Sequence, residues 1–395
     1  MPTSTAEQSS ATGLDIRGIA ARAREVAAQC TTHARGEHRH TTETKSGVVA
    51  FGNWIVDKIR MVDRGNPCGD PSGGNQAFPV ITEGQLTHIK RVYEGTGGAP
   101  YNVLIDLAKL RELRAGLPLG AVGLVGDDDD GRYILEDLKR NRIDSSGMRV
   151  LRGARTSFTD VYQPEGGNRG FGHYSADTND RLSVEHVQGK LDFIGKHRIC
   201  HAGYALLLAA LDAPDGEYGT KIARALKLIK EKGVKTSLAI VSDRNTSRFP
   251  GVVRPSLRYT DIFMPNEYEV THTTGIEVRD KTTAADAAKK LFDEYGVGDV
   301  VVVHMGEHGS FGMLSDGRTH YQPVHKIDRI EGTAGAGDAF EAGMLLALHD
   351  KRDLEYGMRL GTAMAAICLG GSTCTDSMRD LTFTEEFMNR TPYRI

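Results

Sequence analysis

The segment 330–340, IEGTAGAGDAF, contains the residues of this chain that are best suited to chemistry, and it runs directly into the apolar segment EAGMLLAL. Its small residues leave successive backbone N–H groups unobstructed, and the start of a helix adds a positive dipole end. The segment therefore predicts an anion-binding turn at Gly335, Ala336 and Gly337, with the carboxylate of Asp338 at its edge.

Three kinds of anion-binding turn are compared with this segment. A dinucleotide fingerprint, GxGxxG, needs glycine where Phe340 stands, which argues against a dinucleotide oxidoreductase. A Walker A loop needs lysine where Asp338 stands. A carboxylate beside phosphate groups is repulsive unless it accepts a proton, and an attacking alcohol supplies one. An anion site with a general base is therefore predicted; the alternative is a glycine-rich turn in which Asp338 caps a helix.

Short apolar runs alternate with helical patterns along the rest of the chain. Strands are predicted at 47–54, 121–125, 199–201, 236–241, 262–264 and 300–304, and helices at 101–113, 131–141, 218–232, 281–295 and 338–349. The segment 153–174 instead alternates strand-like runs with glycine-rich turns. Strands that alternate with helices predict an α/β fold with a mainly parallel sheet covered on both faces.

The composition excludes several classes of protein. The 395 residues carry a formal net charge of −3 and are 39% hydrophobic, which is unlike a disordered chain, a collagen or a strongly basic nucleic-acid binder. No apolar run approaches the roughly 20 residues of a membrane span. The five cysteines form no CxxC and the 14 histidines no HExxH. This pattern predicts free thiols in a reducing, cytoplasmic compartment and argues against a zinc site.

The segment GTAGAGDAF resembles the C-terminal signature DTxGAGDxF of the PfkB/ribokinase family of carbohydrate and nucleoside kinases. Further family motifs are matched in chain order by GNWIVD at 52–57, GGAPYN at 97–102, GLVGDDDDG at 123–131, PNEYE at 265–269 and VVVVHMGEHG at 300–309. The resemblance implies a ribokinase-like kinase domain over 47–395, with a small β-sheet lid from parts of 55–96 and 153–180. Lids of this kind often pair two subunits, so a homodimer is also implied.

The activity implied by the resemblance is ATP-dependent phosphorylation of a hydroxyl group of a sugar. Asp338 would be the general base, and the backbone amides of 335–338 would stabilise the transferring phosphoryl group. Asp57, Gly98 and Asn102 would bind the sugar, and Asn266 and Glu269 would hold Mg²⁺ through waters. Gly306, Gly309 and Thr333 would contribute to the ATP site.

Some of these residues have a structural alternative. Asn102 is expected either to bind substrate or to cap a helix, and Asn266 with Glu269 also fits a capping box, a role compatible with metal binding. The acidic run 127–130 predicts a turn before a helix. The small residues of 361–371 predict either a wall of the adenine site or a tightly packed core helix. Arg155, Arg169 and His173 fall in the predicted lid.

The chain departs from the family at Gly332, where the signature has Asp, and at Ala334, where Thr is frequent. These changes predict weak or absent dependence on K⁺, unless the Glu331 carboxylate substitutes. Two other functions remain open. A nucleoside kinase would need an apolar platform such as Trp54 or Phe171, and a non-catalytic sugar- or nucleotide-binding relative would tolerate the altered loop.

The segment 1–46 is predicted to be an N-terminal extension, partly disordered. Its first 13 residues are rich in Ser, Thr and Ala. Ile16, Ile19, Ala23, Val26 and Cys30 then recur at helical spacing, which predicts a helix that docks on the outside of the kinase domain or on a second subunit. Acidic residues in this segment argue against a transit peptide.

Overall fold

The computed structural model describes residues 45–62, 86–111, 116–164 and 170–394. The chain divides into two units, Met1–Thr44 and Lys45–Ile395. The first unit lies outside the described residues, and so does the helix predicted over 16–30.

The strands of the described residues are short, and most are buried. In chain order they are β1 (Val48–Gly52), β2 (Ile55–Val62), β3 (Ile89–Gly97), β4 (Leu119–Gly126), β5 (Asp144–Leu151), β6 (Phe158–Pro164), β7 (Gly170–Tyr174), β8 (Ile199–Ala205), β9 (Pro214–Asp215), β10 (Gly219–Thr220), β11 (Lys235–Ile240), β12 (Ile262–Phe263), β13 (Val300–His304), β14 (Ser310–Leu314) and β15 (Thr319–Gln322).

The α-helices alternate with these strands. They are α1 (Ala99–Leu110), α2 (Asp129–Arg140), α3 (Val184–Gln188), α4 (Leu191–Ile194), α5 (Ala209–Asp212), α6 (Lys221–Glu231), α7 (Arg254–Leu257), α8 (Glu267–Thr274), α9 (Lys281–Asp293), α10 (Ala336–His349), α11 (Leu354–Cys368) and α12 (Leu381–Arg390).

The central sheet has the strand order β15-β14-β13-β12-β11-β8-β1-β4-β5. The pairs from β13 to β5 are parallel, and β14 and β15 add an antiparallel edge. Alternate residues of β1 pack on opposite faces, with Val48 and Ala50 in one apolar cluster and Val49 and Phe51 in the other. Burial on both faces explains why these strands are continuously apolar. The predicted α/β architecture is confirmed.

Helices cover both faces of this sheet. The helices α1, α10, α11 and α12 contribute to the cluster around Val48, and α6 and α9 contribute to the one around Val49. Close packing joins α10 to α11, because a Cβ on Gly343 would lie 2.8 Å from the Cα of Gly361. The small residue Gly361 is thus explained by helix packing, as one of the two alternatives for 361–371 predicted.

The second, smaller sheet has the order β3-β2-β6-β7. The β2/β3 and β6/β7 pairs are antiparallel, and the central β2/β6 pair is parallel. Its strands lie in the segments predicted for the lid, except that β3 continues one residue beyond them, to Gly97. Strand β2 follows β1 after two residues, and β3 leads directly into α1, so the two sheets are joined at the carboxyl end of β1.

Several predicted element bounds were wrong by a few residues. The helix predicted at 101–113 begins at Ala99, because Pro100 suits the first turn, and it ends at Leu110. The helix predicted at 338–349 begins at Ala336, and the strand predicted at 199–201 continues to Ala205. No helix in the described ranges combines the length and the apolar character that a bilayer crossing requires.

Candidate active site

The glycine-rich turn and the start of α10 form the centre of the candidate site. Gly335 is the N-cap of α10 and has φ 84°, a left-handed conformation that favours glycine. A Cβ at this position would lie 2.7 Å from Cys374 Cβ. The first N–H groups of a helix have no partner within the helix, so the turn presents them together with the positive dipole end. This arrangement fits an anion.

Asp338 lies in the first turn of α10 and is 6% exposed. Its Oδ2 accepts a hydrogen bond from Asn102 Nδ2 at 2.7 Å. The Tyr204 hydroxyl donates to Oδ1 at 2.7 Å and to Oδ2 at 3.0 Å. Burial raises the pKa of Asp338, and the two hydrogen-bonding side chains oppose that rise because they favour the carboxylate. Asp338 is therefore a buried carboxyl that neighbouring donors hold in place.

Three more buried carboxyl groups lie near Asp338, those of Asp106, Glu269 and Glu341. Burial raises the pKa of Asp106 well above its ordinary value, and the nearby Asp338 charge adds to this rise. Burial, Asp338 and Glu269 likewise raise the pKa of Glu341. Both oxygens of Asp106 and Oε2 of Glu341 have no hydrogen-bond partner among the described residues. The region carries more acidic groups than its protein donors satisfy.

Glu341 faces a buried histidine. His201 Nε2 lies 3.4 Å from Glu341 Oε2, and Nδ1 of the same ring lies 3.1 Å from Ser237 Oγ. Burial lowers the pKa of His201 to about 3, so the ring is neutral. A neutral histidine does not compensate the negative charge of the neighbouring acids.

The predicted substrate residues come together at the start of α1. Gly98, with φ 85°, is the N-cap of α1, and a Cβ there would lie 2.3 Å from the Asn53 carbonyl oxygen. Asp57 on β2 is 8% exposed and packs against Gly97, where a Cβ would lie 2.3 Å from its Oδ1. The Cys374 thiol lies 3.5 Å from Asp57 Oδ2.

Asn102 lies inside α1, four residues after the N-cap. The alternative that it caps a helix was therefore wrong, because Gly98 has that position. Its Nδ2 donates to Asp338, and its Oδ1 is buried without a hydrogen-bond partner among the described residues. An unpartnered buried acceptor is costly unless a ligand satisfies it. This favours a substrate hydroxyl as the missing donor.

Asn266 and Glu269 form the predicted capping box at the start of α8. The Asn266 side chain accepts from the Glu269 N–H at 2.9 Å, and Glu269 Oε2 accepts from the Asn266 N–H at 3.1 Å. Ser242 Oγ donates to Glu269 Oε1 at 3.0 Å. Burial raises the pKa of Glu269 to about 7, and Asp338 adds to the rise. The capping alternative is confirmed.

The turn predicted to bind nucleotide links β13 to β14. Gly306 begins this turn, and Gly309 ends it where a Cβ would lie 2.4 Å from the Gln322 carbonyl oxygen. The preceding His304 packs edge-on against Phe340, with ring centroids 4.3 Å apart, and so joins the end of β13 to α10. Thr333 lies exposed on the loop before α10. The two predicted nucleotide segments thus flank the same helix.

The acidic run behaves as a turn. Asp128 caps α2 by accepting from the Gly131 N–H at 3.0 Å, and it also accepts from the Thr156 N–H at 2.9 Å. Asp127 Oδ1 accepts from the Gly153 N–H at 3.0 Å. These contacts confirm the predicted acidic turn before a helix, and they attach it to the segment that leads into β6.

The residues predicted to lie in the lid are only partly described. Arg155 lies over the Phe158 ring, 4.9 Å from its centroid, and His173 Nδ1 lies 3.1 Å from Thr159 Oγ1. Phe171 is 64% exposed. Arg169 lies outside the described residues.

Trp54 cannot serve as an open platform for a nucleobase. It is 0% exposed, its Nε1 donates to the Val122 carbonyl at 2.9 Å, and its ring packs against Tyr101. This part of the nucleoside-kinase alternative was wrong, because the indole is buried in the core.

Four residues at the site were missed by sequence reasoning: Asp106, His201, Tyr204 and Glu341. Asp106 follows Asn102 by four residues, so helical periodicity alone places both on one face of α1. Glu341 follows Asp338 by three residues in the same way. His201 and Tyr204 carry no such pattern, because their approach to α10 depends on the sheet order.

Comparison with known proteins agrees with this geometry. The pfkB family carbohydrate kinase model matches residues 72–381. Fructokinase-1 of Oryza sativa subsp. japonica is 26% identical over 333 residues, which cover 81% of this chain and 90% of that protein. The 5-dehydro-2-deoxygluconokinase 1 of Bacillus cereus is 25% identical over 326 residues, which cover 77% of this chain and 92% of that protein.

Among solved structures, Arabidopsis thaliana ribokinase complexed with ribose and ATP superposes with a TM-score of 0.69. The two sequences are 19% identical, and the match covers 88% of this chain and 99% of the ribokinase chain. This likeness shows the ribokinase-like fold. The family match covers most of the chain and includes the turn before α10, and the chain therefore belongs to the pfkB family of carbohydrate kinases.

Proposed function

We propose that Asp338 is the general base of an ATP-dependent sugar kinase. The chain is a phosphotransferase with an alcohol group as acceptor. In the proposed step the sugar oxygen bonds to the γ-phosphorus, the bond from that phosphorus to the ADP oxygen breaks, and the hydroxyl proton passes to Asp338. One observation carries the proposal: Asp338 is buried beside the N-terminal turn of α10 and held by Asn102 and Tyr204.

The turn Gly335–Ala336–Gly337 is proposed to stabilise the transferring phosphoryl group. The first N–H groups of α10 lack partners within the helix, and its dipole adds positive potential there. A Cβ on Gly337 would meet nothing within 4 Å, so this side of the turn opens onto free space. Such fixed donors stabilise developing negative charge without reorganisation.

Asp57, Gly98 and Asn102 are proposed to bind the sugar. Asp57 offers carboxylate acceptors, and Asn102 offers the unpartnered Oδ1 beside the base. Each suits a sugar hydroxyl, and two directed acceptors fix which hydroxyl faces Asp338. A side chain at Gly98 would collide with the Asn53 carbonyl, so glycine there lets the start of α1 pack against the residue that follows β1. Its backbone is proposed to contact the sugar.

Mg²⁺ fits the acidic region between α8 and α10. Burial raises the pKa of Glu269 and of Glu341, and the Asp338 charge adds to both rises, so a divalent cation there would relieve the repulsion among these groups. Among the described residues no three His, Cys, Asp or Glu side chains are arranged to bind a metal directly. Asn266 and Glu269 would therefore hold Mg²⁺ through waters, as this ion prefers. Bound Mg²⁺ supplies charge neutralisation to the phosphates.

ATP is proposed to lie between the Gly306–Gly309 turn and the loop that carries Thr333. The edge-on contact between the His304 and Phe340 rings joins the end of β13, which the turn follows, to α10, which the loop precedes. The departures from the family signature support independence from K⁺. Glu331, the one candidate replacement, forms an ion pair with Arg329.

The substrate is proposed to be a small sugar related to those in the names of its relatives, a fructokinase and a 5-dehydro-2-deoxygluconokinase. The decisive experiment supplies ATP and Mg²⁺ with fructose, 5-dehydro-2-deoxygluconate, ribose and a set of nucleosides, and identifies the product by NMR. Phosphorylation of a sugar supports the proposal. Turnover of nucleosides alone would support the nucleoside-kinase alternative, and no turnover with retained binding would support a non-catalytic relative.

A homodimer through the lid is proposed as well. Ile89 and Val92 on the edge strand β3 are 46% and 55% exposed, and Phe171 is exposed on the other edge strand, β7. Analytical ultracentrifugation of the wild-type chain and of Val92→Glu tests this. A wild-type dimer that the substitution dissociates is expected, and a wild-type monomer would contradict it.

A further inference from the structure

Tyr204 and Asn102 hold different oxygens of the Asp338 carboxylate. Oδ2 accepts from Asn102 Nδ2 at 2.7 Å, and the Tyr204 hydroxyl, which has a single proton to donate, lies nearer to Oδ1 (2.7 Å) than to Oδ2 (3.0 Å). A carboxylate has about four acceptor positions, two on each oxygen. Among the donors of the described residues, these two bonds fix the plane of the carboxylate and leave an acceptor position open on each oxygen.

The tyrosine is anchored at both ends. Asn53 Oδ1 accepts the Tyr204 N–H, and the Asn53 N–H donates to the Gly203 carbonyl at 2.7 Å. Asn53 Nδ2 also donates to the Leu207 carbonyl at 3.1 Å. These hydrogen bonds join the carboxyl ends of β1 and β8, so they fix the backbone from which the phenol reaches Asp338.

The phenol acts toward Asp338 only as a donor. Burial and the Asp338 charge raise the pKa of Tyr204, so the hydroxyl keeps its proton. A donor to a carboxylate stabilises the charged form, which opposes the effect of burial on Asp338. Without this donor the buried base would lose part of what keeps it ionised.

We propose that Tyr204 is a positioning residue of the kinase, and that its hydroxyl orients the Asp338 carboxylate toward the acceptor hydroxyl whose proton Asp338 receives. This inference rests on the proposed role of Asp338 as the base. Tyr204 acts through Asp338: its hydroxyl orients the base and does not itself take the proton of the substrate.

Other titratable groups also face Asp338, and they remain unchanged when Tyr204 is replaced. They are Asp106 from α1, Glu269 from α8 and Glu341 from α10, with Lys109 and Cys374 acting on Asp106 and Tyr204 respectively. A difference in pH dependence between wild type and a Tyr204 variant therefore reports the lost phenol.

The test is the pH profile of kcat/KM for Tyr204→Phe, measured with ATP, Mg²⁺ and the best sugar of the panel. We expect kcat to fall about tenfold, since a hydrogen bond to a charged group is lost. The acidic limb of the profile should move to higher pH, because the carboxylate loses a stabilising donor. Tyr356→Phe is the matched control, since that phenol also donates to a carboxylate, Glu385 Oε1, at 2.6 Å.

Three outcomes are distinguishable once unfolding curves and ATP binding show that both variants are folded. A profile of Tyr204→Phe that superimposes on wild type, or a rise in kcat/KM, would overturn the positioning role. A rise would mean that the phenol blocks the base until the sugar displaces it.

Asp338→Asn, measured in parallel, separates the two proposals. If Asp338→Asn keeps activity, the proposed base is wrong. If it is inactive while Tyr204→Phe is unchanged, only this inference fails. Should Tyr204→Phe not fold, Asn53→Ala, which releases the Tyr204 backbone, should give the same limb shift, and an unshifted limb would contradict the proposal.

Discussion

Asn102 and Asp338 are 236 residues apart in the sequence and are joined by a hydrogen bond of 2.7 Å. The bond connects the first turn of α1 to the first turn of α10, the two helices that carry the proposed substrate residues and the proposed base. The amide thus has two proposed functions: Nδ2 holds the proposed base, and the unpartnered Oδ1 accepts from a sugar hydroxyl.

Replacing Asn102 should damage activity in a defined order. Asn102→Ala removes a donor to a charged group, and we expect kcat to fall about tenfold. Asn102→Asp places a second carboxylate beside Asp338, so it should raise the pKa of the base and lower kcat further at neutral pH. Steady-state kinetics across pH check this order. An Asp variant as active as the Ala variant would mean that a carboxylate at position 102 does not raise the pKa of Asp338.

Alanine substitutions at two glycines of the turn should affect stability and activity differently. Gly335→Ala forces a non-glycine residue to φ 84° and into contact with Cys374, so it should destabilise the fold by at least about 1–2 kcal/mol. Gly337→Ala meets nothing within 4 Å and lies inside the helix, so the fold should keep its stability. Its kcat should nevertheless fall, because the methyl group crowds the phosphoryl site. Denaturant unfolding and kinetics on both variants check this. Full activity of Gly337→Ala would contradict the proposal that the phosphoryl group lies on that side of the turn.

Glu269 should make metal-free stability pH dependent. Burial raises its pKa from 4.5 to about 7, so the folded chain binds a proton that the unfolded chain has already released. The stabilisation is complete below pH 4.5 and is lost as the pH rises through about 7. Unfolding curves from about pH 5 to about pH 8 should therefore show a larger loss of stability for wild type than for Glu269→Gln.

The same variant tests the metal. With ATP present, Mg²⁺ should restore wild-type stability above pH 7 more than it stabilises Glu269→Gln, and the variant should need more Mg²⁺ for half-maximal kcat. Ser242→Ala is a suitable control, since it removes a donor to Glu269 while leaving the carboxylate in place. Equal Mg²⁺ titrations for wild type and Glu269→Gln would leave Glu269 as a capping residue alone.

Potassium should activate the enzyme weakly or not at all. Gly332 and Ala334 provide neither a carboxylate nor a hydroxyl, and Glu331 forms an ion pair with Arg329. The measurement compares kcat/KM in potassium, sodium and tetramethylammonium salts at equal ionic strength. Activation of about tenfold or more by potassium would contradict the prediction. Loss of that activation in Glu331→Gln would then identify Glu331 as the replacement ligand.

Much of this architecture could be predicted because its determinants are local. Buried parallel strands are continuously apolar, and the turn GTAGAGDAF contains its own small residues, so both are visible in a few consecutive letters. Tyr204 and His201 were missed because nothing near them in the sequence distinguishes them. They reach Asp338 and Glu341 only because β8 lies beside β1 in the sheet.

Trp54 shows the opposite error. An isolated tryptophan beside a substrate motif suggested a platform for a base, but its N–H is bound to the Val122 carbonyl and its ring is buried. Sequence patterns do not reveal whether a residue between two strands is buried when the second strand belongs to another sheet. The strand β2 leaves the central sheet at that point, and Trp54 precedes the change of direction.

The most direct test of the account is Asp338→Asn. The amide keeps the shape of the side chain but cannot take up the hydroxyl proton, so we expect kcat to fall by at least about 10²-fold. ATP binding measured by calorimetry should be unchanged, since the backbone N–H groups of the turn remain. A folded variant that keeps more than about a tenth of wild-type kcat would contradict the assignment of Asp338 as the general base.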